Sequence, residues 1–197
     1  LVETLPRLYF ICNFYANKKQ SVVIAVKINS TSFLKASLKE LDKKFDIKII
    51  YINSMINHVV DQACFVSYDY PYKPDKKMIS FMRESLSSAF LHDNSSASLA
   101  EGKGCIYISR RANKRRGLES EEYLELILQK MGFEVVIFES LTLKDQVLLI
   151  NKAQILVGIH GAGLSNMVFL NKDATVIEIR LSDYINTCFK DLADSMA

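Results

Sequence analysis

The stretch "GIHGAGLSN" at 158–166 places three of the chain's seven glycines around a histidine and ahead of an asparagine. Glycine loses more freedom on ordering than any other residue, so it is kept where backbone turns sharply or something comes close to it. A second stretch, "YISRRANKRRG" at 107–117, holds Arg110, Arg111, Lys114, Arg115 and Arg116. Guanidinium groups fork onto phosphate oxygens, and bare amides at a helix start suit anions. The two stretches together have the chemistry of a site for a phosphorylated ligand. Each keeps a bland alternative: a tight turn with no ligand, and a solvated basic loop.

Three ligand chemistries compete for the glycine stretch. "GAGLSN" nearly matches the dinucleotide fingerprint, with Glu178 at about the spacing of the ribose acid. Asn166 replaces the third glycine, however, and the stretch follows the third strand of its half rather than the first. "HGAG" is like the oxyanion loop of lipases, whose mechanism needs a later G-x-S-x-G elbow. No glycine follows Gly163, which excludes the ordinary esterase arrangement. A nucleotide-sugar site is the third chemistry, and the arginines support it. Nucleic acid is disfavoured because no aromatic residues interleave the basic ones and no nucleic-acid module is recognisable.

These residues need elements to position them. Apolar β-branched runs at 21–28, 46–52, 63–70, 105–109, 133–138, 154–158 and 174–179 predict strands, the first of them buried on both faces. Helical periodicity predicts helices over 1–12, 31–45, 76–91, 120–131 and 142–153, another opening in the glycine stretch, and a last one from near Asp183. Strands alternating with helices of about ten residues imply βαβ units and parallel sheets. The polar, small-residue segment 92–104 predicts a domain boundary, giving halves 1–95 and 96–197. The second half then puts both chemical stretches at carboxyl ends of strands, where open α/β sheets bind ligands.

Composition narrows the class. With 49% hydrophobic and 24% charged residues and a net charge of +3, the chain is ordinary for a soluble globular protein and only mildly basic. No apolar run reaches the roughly 18–20 residues of a membrane span. Cys12, Cys64, Cys105 and Cys188 are far apart, mostly in apolar runs, with no CxxC or other metal-ligand spacing, which predicts buried free thiols rather than disulfides and leans toward a reducing, cytoplasmic setting. The opening "LVETLPRLYF" and the closing "YINTCFKDLADSMA" lead us to expect a piece cut at both ends.

"YISRR", the run "GFEVVIFESLTLKDQVLLINKAQILVGIHGAGLSNMVFL" and "VIEIR" resemble the catalytic domain of glycosyltransferase family 61, and "LVETLPRL" resembles its N-terminal signature. The resemblance implies a GT-B-like fold: α/β, two Rossmann-like halves with parallel sheets flanked by helices, the first on the acceptor side and the second holding the donor. It also implies an inverting, metal-independent transfer of a sugar from a nucleotide sugar, with UDP-sugar the leading donor and no further cofactor. The acceptor would be a glycan or glycoprotein, as in polysaccharide biosynthesis. Independently, the sequence lacks the D-x-D triplet that holds metal diphosphate in the other major glycosyltransferase fold. Bacterial relatives act in the cytoplasm, and eukaryotic ones in the secretory lumen on a membrane anchor. One departure stands out. Family members commonly carry Asn-Glu shortly after the arginines, where this chain aligns Glu119-Ser120.

Inverting transfer requires a base for the acceptor hydroxyl and positive groups for the departing diphosphate. Arg110 and Arg115, with the amides of Gly161, Ala162 and Gly163, are the expected diphosphate contacts. His160 would donate to a phosphate or sugar hydroxyl, or instead hold the turn. Asn166 is a polar contact or a packing residue, and Glu178 a ribose ligand or a capping carboxylate. For the base the choice is Glu3, in the family-like opening; His58 follows a strand but has no motif around it. An eroded, non-catalytic nucleotide- or glycan-binding module is the alternative from another class, motivated by the Glu119-Ser120 departure.

Overall fold

A computed structural model describes residues 4–64, 75–91, 104–112, 118–182 and 184–196. The chain divides into two compact units, Leu1–Leu86 and Ser87–Ala197. Among the described residues no helix is long and apolar enough to cross a membrane.

The first unit begins with α1 (Thr4–Ala16), whose buried Leu5, Tyr9 and Cys12 recur at the four- and three-residue spacing of one helix face. β1 (Val22–Lys27) and β2 (Ile47–Ile52) pair in parallel from Val22 opposite Ile47 to Lys27 opposite Ile52. The connection is α2 (Ser32–Asp42), started by Thr31, whose hydroxyl accepts from the Leu34 N–H at 3.3 Å. α3 (Lys76–Leu91) buries Ile79, Met82, Leu86 and Phe90, again at helical spacing, and the division between the units falls inside it. β1 differs from expectation. Ile24 and Val26 are buried while Val23 is 58% exposed, so its continuous apolar run covers one face only among the described residues. The strand expected at 63–70 lies outside the described residues except for Ala63 and Cys64, which are not in a strand.

The second unit is a four-stranded parallel sheet in the order β4-β3-β5-β6. β3 (Cys105–Ile108) leads through α4 (Glu121–Lys130) to β4 (Glu134–Val136). A short 3-10 turn at Phe138–Ser140 and α5 (Leu143–Asn151) then carry the chain to β5 (Ile155–Ile159). From there a 3-10 helix, Ala162–Phe169, leads to β6 (Thr175–Ile179), and α6 (Cys188–Met196) closes the described chain. The expected strand at 133–138 is thus only three residues long before the 3-10 turn. The helix of the glycine stretch is 3-10 throughout, and the last helix starts five residues after Asp183. At that start Asn186 Oδ1 accepts from the Cys188 N–H at 2.9 Å, and Thr187 donates its hydroxyl to Asp191 one turn into α6. The core packs on both sides of β5. Tyr107, Leu128 and Val157 form one cluster with Leu124 and Phe133, while Leu164, Met167, Val168 and Phe169 are buried along the 3-10 helix. Burial of this apolar surface stabilises the sheet, roughly 1.5–3 kcal/mol for each large side chain.

Candidate functional site

β3 and β5 are neighbours, with Ile108 opposite Gly158. The chain leaves β3 toward β4 on one side and leaves β5 toward β6 on the other. Their following loops therefore diverge at the sheet's carboxyl edge, the arrangement that opens a ligand crevice in doubly wound sheets. Arg110 follows β3 by two residues, and Gly161 follows β5 by two. The two chemical stretches of the sequence flank this switch point.

Their closest approach is between Arg110 and Gly161. A Cβ built on Gly161 would fall on the Arg110 guanidinium, nearest Nη1 and 2.7 Å from Cζ, so any side chain there would have to push the arginine aside. Arg110 Nη1 donates to the backbone carbonyl of His160. Gly163 likewise lets the 3-10 helix sit on β3, because a Cβ there would lie 3.0 Å from Ile108 Cγ2. The closeness that glycine permits in "GIHGAGLSN" is to the protein's own arginine.

His160 is 6% exposed and held from every side. Its N–H donates to the Ile179 carbonyl at 2.8 Å, and its carbonyl accepts from Arg110. Its Nδ1 bonds Glu178 Oε1. A carboxylate only accepts, so the contact places a proton on Nδ1. The imidazole meets the rings of Tyr184 at 4.4 Å and Phe189 at 4.9 Å between centroids, both edge-on. Glu178 Oε2 lies 3.7 Å from Arg180 Nε.

Asn166 is 4% exposed and its Nδ2 donates to Gln146 at 3.2 Å and to the Gly163 carbonyl at 3.1 Å. Its side chain ties the first turn of the 3-10 helix to α5, while its buried Oδ1 has no hydrogen-bond partner. Ala162 is exposed, and no side chain caps the start of that helix. Glu3 and Arg115 lie outside the described residues. His58 is on the surface of the other unit, its Nε2 3.0 Å from the Asn53 carbonyl. Among the described residues no three His, Cys, Asp or Glu side chains are grouped to hold a metal ion.

Four residues at the β3 end escaped the sequence reading. Glu121 and Glu125 on α4 are both 5% exposed, and Ser109 and Tyr107 are more deeply buried still. Glu121 Oε1 accepts from the Tyr107 hydroxyl at 2.8 Å and from the Arg110 N–H at 2.7 Å. Glu125 accepts from the Ser109 hydroxyl at 2.5 Å and from the Arg111 guanidinium at 3.1 Å. Burial, and then the bond to Glu121, push the Tyr107 phenol well above the usual tyrosine range, so it stays a donor. The available signal was the spacing of Glu121, Glu125 and Leu128, which lie on one face of a helix.

Comparison with known proteins adds sequence relatives. The family model described as Glycosyltransferase 61 matches residues 1–177. An EGF domain-specific O-linked N-acetylglucosamine transferase of Drosophila melanogaster is 35% identical over 89 residues, 44% of this chain and 17% of that protein. An alpha-1,3-arabinosyltransferase of Oryza sativa subsp. japonica is 38% identical over 77 residues, 38% of this chain and 13% of the relative. A beta-1,2-xylosyltransferase from the same plant is 35% identical over 75 residues, again 38% and 13%. The aligned part of the chain spans only 13–17% of the length of these curated relatives.

Proposed function

We propose that this chain, which belongs to the Glycosyltransferase 61 family, forms the donor-binding part of an enzyme that transfers a sugar from a nucleotide sugar to a glycan or protein-linked acceptor. The observation that carries the reading is the meeting of Arg110 with the Gly161 turn at the switch point between β3 and β5. A departing diphosphate needs fixed positive charge and preorganised N–H groups where its negative charge grows. Arg110 supplies the first, joined by Arg115 from the same basic stretch of sequence. The amides of Ala162 and Gly163, which no side chain caps, supply the second.

In this reading the transfer is an inverting displacement without metal, the two arginines and the helix start balancing the diphosphate charge. The two units take up a GT-B arrangement with the acceptor served by the first, and Glu3 is the base that deprotonates the acceptor hydroxyl. His160, its Nδ1 committed to Glu178, offers Nε2 to a sugar hydroxyl, and Glu178 fixes the ring rather than reaching the ribose alone. Asn166 acts by holding the turn. The named relatives transfer N-acetylglucosamine, arabinose and xylose, sugars carried on UDP in the donor class we favour. A cytoplasmic setting is the working assignment.

The test is a thermal-shift screen of the intact protein against UDP, GDP, CMP and NAD, repeated with Arg110→Ala. A ligand at a hundredfold its dissociation constant adds about 2.7 kcal/mol of stability. Stabilisation by one nucleoside diphosphate, abolished by the substitution, supports the donor site. Stabilisation by NAD alone, or by nothing, overturns it. Hydrolysis of the matching nucleotide sugar then separates an enzyme from a non-catalytic binding module, which gives none.

A further inference from the structure

Glu121 and Glu125 are one helical turn apart on the buried face of α4 that Leu128 continues. Carboxylates leave water only where donors compensate them. Both find those donors at the end of β3, yet they treat the two adjacent arginines differently. Glu125 takes the Arg111 side chain itself. Glu121 takes the main-chain N–H of Arg110, while the Arg110 guanidinium crosses Gly161 to the His160 carbonyl.

A negative charge beside an anion site opposes the anion, so Glu121 is a poor neighbour for Arg110 unless it contributes something else. The geometry points to direction. Its Oε1 is itself anchored by the fully buried Tyr107 hydroxyl, two strand positions before Ser109. The same oxygen fixes the Arg110 amide, and with it the angle at which the chain leaves β3. At that angle the guanidinium meets the Gly161 turn.

We infer that Glu121 is a positioning residue for Arg110, holding its backbone through an acceptor oxygen so that its side chain spans the switch point. The inference rests on the reading that Arg110 meets a diphosphate. The competing account is that Glu121 merely staples α4 to β3, in which case its removal lowers stability and leaves ligand affinity alone.

The deciding experiment is calorimetric titration of UDP and of GDP into the intact wild-type protein and its Arg110→Ala, Glu121→Ala and Glu121→Gln variants, with helix content checked by circular dichroism. Glutamine keeps an acceptor oxygen for the Tyr107 and Arg110 donors and removes the charge. Positioning predicts at least a tenfold loss of affinity for Glu121→Ala, and affinity within threefold of wild type for Glu121→Gln. Wild-type affinity in a folded Glu121→Ala overturns the inference and leaves the donor site standing. A Glu121→Gln variant as weak as Glu121→Ala also overturns it, because charge and not acceptor geometry is then what matters. If Glu121→Ala does not fold, Glu121→Asp, whose carboxyl is drawn back by one methylene, takes its place with the same tenfold expectation. Failure of the wild type to bind either nucleotide removes the donor reading and this inference with it.

Discussion

The guanidinium of Arg110 occupies the space in which a side chain at residue 161 would begin, its Nη1 the nearest atom to the position of that missing Cβ. Two segments fifty residues apart thereby form one surface at the carboxyl edge of the sheet. The pairing is reciprocal: glycine makes room for arginine, and arginine holds the turn through the His160 carbonyl.

Gly161→Ala tests that reciprocity. The obstructing atoms are the far end of a flexible side chain, so the variant folds by pushing Arg110 aside. The expected cost is the charged hydrogen bond to His160, on the order of 1.5–3 kcal/mol. Chemical denaturation should show that loss with an unchanged m-value, and nucleoside diphosphate affinity should fall at least tenfold. A variant that keeps wild-type stability and affinity would separate Arg110 from the turn.

Glu178→Ala should release His160. The carboxylate that fixes the proton on Nδ1 is removed, and a mostly buried imidazole loses a partner, at a cost of about 1–3 kcal/mol. Nitrogen NMR of the ring gives the sharper check. The wild type should show a single Nδ1-protonated form, and Glu178→Ala a mixture of tautomers. A single unchanged tautomer in the variant would assign the ring's orientation to Tyr184 and Phe189 instead.

The thiols differ in the same way as their surroundings. Only Cys12 is buried as expected, and burial pushes its thiol up from 9.0 to about 11, whereas Cys105 is half-buried and Cys64 and Cys188 are exposed. Burial disfavours the thiolate, so the neutral form stabilises the fold below pH 9, and that contribution is lost as pH rises through the folded value. Iodoacetamide at pH 8 should label Cys64 and Cys188 in the native protein and spare Cys12 until denaturant is added. The midpoint of thermal unfolding should fall between pH 9 and 11, and a Cys12→Ala variant should lose part of that slope.

The parallel sheet of the second unit was legible because each of its strands is a short β-branched run between helices of clear period. The meeting of Arg110 with Gly161 was legible only as a shared sheet edge, since residue type tells what can approach a glycine but not what does. Glu121 and Glu125 were missed because acids at the start of a helix are ordinarily exposed and favoured there by the helix dipole. Only the fold reveals that their face of α4 turns inward. Asn166 and Glu178 were legible as polar residues near the site, but their partners, Gln146 and His160, depend on how α5 and β6 flank β5.

The departure at Glu119-Ser120 also has a structural counterpart. Ser120, just before α4, has φ 62° and ψ 34°, the left-handed conformation, with no side-chain cap, and the buried Glu121 follows it. Asparagine and glycine adopt that conformation far more readily than serine, which carries a penalty of roughly 1–2 kcal/mol there. An Asn-Glu pair read one residue later would thus put asparagine where the backbone favours it and glutamate where Arg110 is held. Ser120→Asn and Ser120→Gly should each raise stability, by up to about 1 kcal/mol, without altering the Glu121 contacts. Denaturant midpoints measure this directly. Wild-type midpoints in both variants would mean that serine bears no strain at this turn, and that the Glu121 contacts alone set the entry into α4.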